Sequence, residues 1–404
     1  MNKKAIIIGA GVAGPILALQ LKKIGLESEI FESRSKDNTK EGAFLGLTPN
    51  GLNVLKEFVD LSLLKEDYTP GSMKFFNSKG KQIAELGTAY QKKQYGVETL
   101  QLKRANLNKY ARIAATEAGI KIEYNKKFVS YRETHDQVTA HFADGTTATG
   151  DIMIGCDGMF SEVRKQLFPD ASVIKYTKLI STGGYAKIPG LSKPLDSIRM
   201  TFGERGFFAY SVSDKGEVWW FNNYFRAQEP KPYEIEQTLK TEIQDHLADV
   251  HKNDDPLFSQ IIKNSHEIIA YPIYDVPKLS HWYKGRVCLI GDAAHGISPH
   301  IGQGASLALE DTVVIAELLK LYKDYSTAFQ AFQSERQPRV EKVIKSARKV
   351  GDTKTKTNPV AAWFRDRLIG FFIGKQIQQL DWIYGWTYSH KKSLTSTSDN
   401  LKYP

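Results

Sequence analysis

The nine residues Ile6–Gly14, IIIGAGVAG, constrain the fold of this chain more than any other stretch. An apolar strand runs into glycines at positions 9, 11 and 14, and a helical pattern follows with Ile16, Leu17, Leu21 and Ile24 on one side. Pro15 falls in the first turn of that helix, where a missing backbone N–H costs least. A second strand ending Glu29-Ile30-Phe31 and then Glu32 completes a βαβ unit over residues 4–32.

Each glycine has a geometric reason. Gly9 permits the tight turn, Gly11 lets a pyrophosphate approach the backbone, and Gly14 lets helix and strand pack closely. The helix N-terminus offers unpaired N–H groups to phosphate, and Glu32 stands where a carboxylate takes a ribose 2′-OH. The alternative is a tight βα turn without a ligand. Strand, helix and acid in this order favour a dinucleotide, and the acid favours an unphosphorylated ribose such as that of FAD or NAD.

At 404 residues the chain is long for one ordinary domain. Residues 104–119 read as a helix and 136–155 as a hairpin turning at Asp144-Gly145. Between about 176 and 275 the segments 197–202, 206–213 and 217–225 are aromatic-rich and strand-like, interrupted by a helix near 233–249. The apolar run RVCLIG at 286–291 returns to the first pattern, and a helix follows from about 303 to 321. The expected fold is therefore α/β: a Rossmann-like domain for that dinucleotide, FAD or NAD, with an inserted antiparallel-sheet substrate domain and a C-terminal helical segment. The first domain takes 1–72, 97–175 and 276–350, the substrate domain 73–96 and 176–275, and the tail 351–404.

The net charge of +10 is spread over scattered lysines, without a basic stripe interleaved with aromatics, so no nucleic-acid partner is expected. Cys156 and Cys288 each lie in an apolar run and read as small core residues. A reducing, cytoplasmic setting fits, with no secretion signal at the N-terminus. No stretch approaches 18 consecutive apolar residues, so no spanning helix is expected. The aromatic tail AWFRDRLIGFFIGKQIQQLDWIYGW reads as packing against the body in preference to a membrane surface, so no stable membrane insertion is expected.

Two further runs, GCDGMFSEVR at 155–164 and GDAAHGISPHIGQGASLALED at 291–311, stand far from the first. Together the three closely resemble the fingerprints of the class A, para-hydroxybenzoate hydroxylase-like FAD-dependent monooxygenases. GAFLGLTPNGLNVL at 42–55 and LKRANLNKYA at 102–111 resemble the family's flavin-side strand-helix and its FAD-contacting arginine, so the likeness spans about residues 4–350. Three places depart from the family pattern: Cys156, Ala305-Ser306, and Lys40-Glu41 where an arginine is frequent.

The resemblance implies an oxidoreductase in which NADPH or NADH reduces FAD, O2 adds to the reduced flavin, and a C4a-hydroperoxide hydroxylates an aromatic or polycyclic small molecule. The substrate range implied includes antibiotics, as in the tetracycline-modifying members. The cofactor carries the hard step, so the protein orients and excludes water. No catalytic triad or metal motif is needed and none is read; the catalytic residue is unassigned.

Asp292, after a buried strand, would accept hydrogen bonds from the ribityl hydroxyls, although an N-cap aspartate looks the same in isolation. Gly302, Gln303 and Gly304 precede the long helix, whose N-terminus would face charge developing at the flavin N1–C2 carbonyl, with Pro299 stiffening the loop. Asp157 and Gly158 end a buried strand; Ser161 would cap the helix carrying Arg164. Arg104 would sit near the phosphates, its alternative being an exposed helical arginine.

For substrate, Tyr210, Asn222 and Tyr224 lie on strands of the right region, against ordinary strand alternation. His300 in the loop beside the flavin would touch substrate or assist deprotonation, against a structural role. His295 reads as a supporting residue. A superfamily reductase without oxygen transfer is the alternative activity, and a binding protein without turnover a more distant one. A halogenase is disfavoured because EVWWFNNY stands where WxWxIP would be expected.

Overall fold

The computed structural model describes residues 3–36, 44–64, 70–170, 173–191, 195–231, 240–297, 301–354 and 380–388. Pro299, His300 and the Lys40-Glu41 pair lie outside them, as does most of the aromatic tail.

β1 (Lys4–Ile8), α1 (Ala13–Lys23) and β2 (Glu27–Phe31) form the expected βαβ unit. β3 (Phe44–Leu47) leads into α2 (Pro49–Leu55), followed by β4 (Ser72–Asn77), β5 (Gln82–Gly87) and α3 (Ala89–Tyr95). β6 (Leu100–Lys103) runs into α4 (Arg104–Glu117) and β7 (Lys121–Glu123). Then come β8 (Phe128–Glu133), β9 (Val138–Phe142), β10 (Thr147–Gly150), β11 (Ile152–Gly155) and α5 (Glu162–Leu167).

β12 (Lys175–Ala186), β13 (Ser197–Phe202), β14 (Gly206–Val212) and β15 (Val218–Phe225) precede α6 (Lys240–Val250), α7 (Pro256–Lys263) and β16 (Ser265–Asp275). The chain returns through β17 (Tyr283–Lys284), β18 (Val287–Leu289) and α8 (Asp292–His295). It ends in the helices α9 (Gly304–Leu321), α10 (Tyr325–Lys354) and α11 (Asp381–Tyr384).

The first sheet has the order β17-β18-β11-β1-β2-β7, parallel except for the short β17. Its central strands are buried on both faces, which is why KAIII, IMIG and VCL read as continuous apolar runs without alternation. The second sheet has seven strands, β16-β12-β15-β14-β13-β4-β5. It is antiparallel apart from β13 beside β4, a parallel pair that the sequence pattern does not reveal. Here the inner strands β13, β14 and β15 alternate between two packed faces. One face, with Phe208, Tyr210, Val218 and Trp220, packs on Leu247 of α6 and Phe258 and Ile261 of α7. The other carries Ile198, Phe202, Phe207 and Ala209, with Phe221 against them.

Asp144-Gly145 does turn the β9–β10 hairpin, with Gly145 at φ 82°. β11, however, leaves that hairpin and pairs beside β1. Among the described residues no helix is long and apolar enough to cross a membrane.

Candidate active site

Gly9 takes φ 106° and donates its N–H to the Phe31 carbonyl at 2.8 Å. A Cβ on Gly14 would lie 2.0 Å from the Gly9 carbonyl oxygen, so helix and turn touch there with no room for a side chain. A Cβ on Gly11 would meet nothing within 4 Å. Gly11 thus opens onto space beside the N-terminus of α1, whose first turn has neither a capping side chain nor an acid. Glu32 is buried, accepting from Ala10 N at 2.8 Å and Arg34 N at 2.9 Å. Arg112, not foreseen from the sequence, donates Nε to the Ala10 carbonyl at 2.8 Å. Arg104 is exposed at the first position of α4.

The second and third motifs are joined through one guanidinium. Arg164 is fully buried, donating Nη1 to the Ala293 carbonyl at 2.9 Å and Nη2 to the Met159 carbonyl at 2.6 Å. Burial pulls its pKa down against the attraction of Asp157 and Asp292. Ser161 caps α5, its hydroxyl accepting from Arg164 N at 2.9 Å. Asp157 accepts from Ser161 Oγ and Val163 N, yet burial dominates and pushes its carboxyl above the usual range. Gly158, at φ 78°, opens onto free space.

Asp292 begins α8, half-buried, and a Cβ on Gly304 would sit 3.6 Å from its Oδ1. Gly302 takes φ 62°, its Cβ direction facing the Gly46 carbonyl of β3 at 3.7 Å. Gln303 between them is buried and held from below: Nε2 donates to Thr48 Oγ1 at 2.9 Å, and Oε1 accepts from Asn50 Nδ2 at 3.1 Å. Asn50 Nδ2 also reaches Glu310 Oε1 at 2.7 Å, while Thr48 Oγ1 lies 2.8 Å from Ser306 Oγ.

Beneath this loop lies a buried ionic cluster. Glu310 takes Arg336 Nη1 at 2.7 Å, and Asp311 takes Arg336 Nε at 2.7 Å, His295 Nε2 at 2.6 Å and Gly291 N at 2.8 Å. Burial opposes the charge on Asp311, but His295, Arg336 and these hydrogen bonds outweigh it and hold its pKa below the usual range. The roles of Thr48, Asn50, Glu310, Asp311 and Arg336 were not assigned from the sequence. The available signal was an acidic doublet inside the apolar helix SLALEDTVVIAEL, which must meet cations once buried.

β3 brings the two sheets together. Phe44 lies 5.4 Å from Trp219, 6.0 Å from Phe221 and 6.3 Å from Tyr185, centroid to centroid. Lys103 of β6, opposite Phe44, stands over Tyr185 and Trp219 at 4.8 and 5.6 Å. Two residues from each, Gly46 pairs with Gln101, a buried amide whose Oε1 has no hydrogen-bond partner.

Tyr210, Asn222 and Tyr224 lie on the opposite face of the seven-stranded sheet. Tyr210 packs edge-on to Phe258 at 6.3 Å and Tyr224 on His246 at 4.8 Å. Asn222 bonds to Thr182 at 3.2 Å and to His251. The strands were the right region, but on β15 it is Trp219 and Phe221 that meet Phe44, while Val218, Trp220, Asn222 and Tyr224 face the helices.

A family model described as an FAD binding domain matches residues 2–347. The chain is 27% identical over 372 residues to a putative FAD-dependent monooxygenase, YetM, of Bacillus subtilis, covering 91% of this chain and 97% of that one. It is 26% identical over 370 residues to 6-hydroxynicotinate 3-monooxygenase of Bordetella bronchiseptica, covering 87% and 92%. The fold matches that of Klebsiella pneumoniae HpxO complexed with FAD and uric acid, with a TM-score of 0.82 at 22% identity, over 95% of this chain and 96% of that one.

Proposed function

The chain belongs to the FAD binding domain family and is an FAD-dependent monooxygenase, and on that premise we propose that it hydroxylates a planar aromatic or polycyclic small molecule with NADPH or NADH as reductant and O2 as oxidant. The observation that carries the substrate reading is the double contact of β3. Phe44 meets the aromatic face of the seven-stranded sheet, and Gly46, two residues on, faces Gly302.

The residues present fit FAD. The open cradle at Gly11, the uncapped N-terminus of α1 and the orphaned Gln101 amide are groups that a phosphate and a polar ring edge would satisfy. In this reading Gly9, Gly11 and Gly14 cradle the pyrophosphate and Glu32 holds the ribose. Arg104, Asp157 and Gly158 serve the phosphate end, and Asp292 the sugar-alcohol chain. Gly302, Gln303 and Gly304 present the N-terminus of α9 to the ring. Pro299 and His300 belong to the same loop in sequence.

When bound, the flavin would take reducing equivalents from the nicotinamide and supply the activated oxygen. The chain's own work is positional. The helix dipole of α9 favours negative charge at its N-terminus. Phe44, Trp219 and Phe221, tilted or edge-on to one another, provide an apolar, water-excluding wall for an aromatic ring. Gln303, fixed by Thr48 and Asn50, keeps the intervening loop in one geometry.

The division into two domains and a tail is part of the same proposal, and the joining of β4 and β5 to β12–β16 in one sheet supports the inserted domain. The proposed compartment is the cytoplasm, which supplies nicotinamide reductant and suits two unpaired cysteines.

The test is turnover under ¹⁸O2 with FAD-loaded protein, NADPH or NADH, and a panel of phenols and hydroxylated N-heteroaromatics. One ¹⁸O atom in a product supports the reading. Nicotinamide oxidation with no labelled product from any substrate would leave the reductase alternative in its place.

A further inference from the structure

Resting on that reading, we propose that Asn223 selects the substrate, and that the substrate is an oxo-heteroaromatic presenting a ring N–H beside a ring carbonyl, a lactam edge. β15 carries two adjacent asparagines with opposite surroundings. Asn222 is fully buried toward α6 and α7, where Thr182 and His251 satisfy its amide. Asn223 is 95% buried on the other face, at 5% exposure, and its Oδ1 has no hydrogen-bond partner. A desolvated amide oxygen is costly to leave unmade, so its persistence beside a satisfied twin points to a ligand that completes it.

The position is right for substrate. In the sheet register Asn223 lies opposite Phe207 on β14 and Ser181 on β12. It is two residues along from Phe221, whose ring meets both Phe44 and Phe207. A flat ring laid on that wall would turn an edge toward the carboxamide. A carboxamide is an acceptor beside a donor, and its complement is a donor beside an acceptor, which is the edge of a lactam.

Charge narrows the class further. Lys103 is engaged by Glu217 at 3.9 Å and by two aromatic rings at the Trp219 end of the wall. Arg199 points to the helix-covered face, over Phe76 at 4.2 Å and opposite Tyr210 in register. Neither is offered to an anionic substituent beside Asn223. A neutral edge is what the amide reads.

The test is binding to the FAD-loaded protein by titration calorimetry, with quinolin-2(1H)-one and its N-methyl derivative as probes. The methyl group removes the donor and keeps the ring and the carbonyl. Wild type is expected to bind the N–H compound about tenfold more tightly, the scale of one buried hydrogen bond. Asn223→Leu should bind both probes alike, with flavin absorbance unchanged, and Asn223→Ala gives the same reading if leucine disturbs the wall. Wild type binding the probes equally, or binding neither, overturns the proposal, as does a variant that keeps the preference. Binding needs no turnover, so a protein that shows this preference but transfers no ¹⁸O would retain Asn223 and lose the hydroxylase reading.

Discussion

Arg339 grips Glu310 with two nitrogens, Nε at 2.7 Å and Nη2 at 2.6 Å, and at the same time donates Nη1 to the Trp382 carbonyl at 2.6 Å. Since Glu310 also holds Asn50, and Asn50 holds Gln303, a continuous set of hydrogen bonds runs from the C-terminal segment to the glycine loop. Trp382 and Trp386 cover this arginine, and Lys342 stands over Trp382 at 4.0 Å. Residues 380–388 are thus part of the support beneath the site.

Glu310→Gln is expected to be strongly destabilising, because Arg336 and Arg339 would face a neutral amide in a buried setting. Breaking a buried ionic cluster of this kind costs about 3–5 kcal/mol. Urea denaturation of the apoprotein measures it. Arg339→Lys keeps one charge and loses the fork, so a smaller loss with greater proteolytic cleavage after Lys342 is expected. Wild-type stability in Glu310→Gln would show that the cluster contributes nothing.

The glycines separate cofactor binding from folding. Gly14→Ala places a methyl 2.0 Å from the Gly9 carbonyl, and helix and strand must move apart. Gly11→Ala meets no protein atom within 4 Å. The second variant should therefore fold with the wild-type apoprotein Tm yet bind FAD at least about tenfold more weakly, since its methyl enters the phosphate approach. Fluorescence titration with FAD and thermal melts of the two apoproteins distinguish these effects. Wild-type FAD affinity in Gly11→Ala would remove the cradle from Gly11.

The parallel sheet and the glycine turn were legible because local rules determine them: a continuous apolar strand, a positive-φ glycine and an acid at fixed spacing. The support beneath Gln303 was not, because Thr48, Asn50, Glu310 and Arg339 meet only through tertiary packing. The face of β15 was illegible for a different reason. VWWFNNYF is apolar or amide at every position, since both faces are covered, and alternation then carries no sign. Tyr210 and Asn222 attract notice as polar groups, but each is committed to the helix side.

That parity yields a kinetic prediction. Trp219→Ala removes a ring from the wall that Phe44 completes, and KM for an accepted aromatic substrate should rise about tenfold, with more NAD(P)H consumed per product formed. Tyr210→Phe alters only the helix-packed face and should leave KM within about twofold. Steady-state kinetics with product quantitation decide it. The reverse ranking would put the substrate on the α6–α7 side.

The acid limb of stability should report on Asp311. Its folded pKa lies below the ordinary aspartate value, so the folded state releases its proton more readily than the unfolded chain. The stability it contributes is fully present above the unfolded value and is lost as pH falls through the folded one. Asp157 acts in the opposite sense, because burial raises its carboxyl and favours the protonated form in the fold. Comparing wild type with Asp311→Asn cancels the Asp157 contribution and isolates Asp311. The variant should be less stable at pH 7, where His295 and Arg336 lose an ionised partner, and the gap should narrow from about pH 5 downward, first as the unfolded chain takes up the proton and then as the folded protein does. Urea midpoints across that range give the difference directly. A gap that stays constant down to about pH 3 would mean that Asp311 takes up its proton at the same pH folded and unfolded, and that its charge adds nothing to the stability of the cluster.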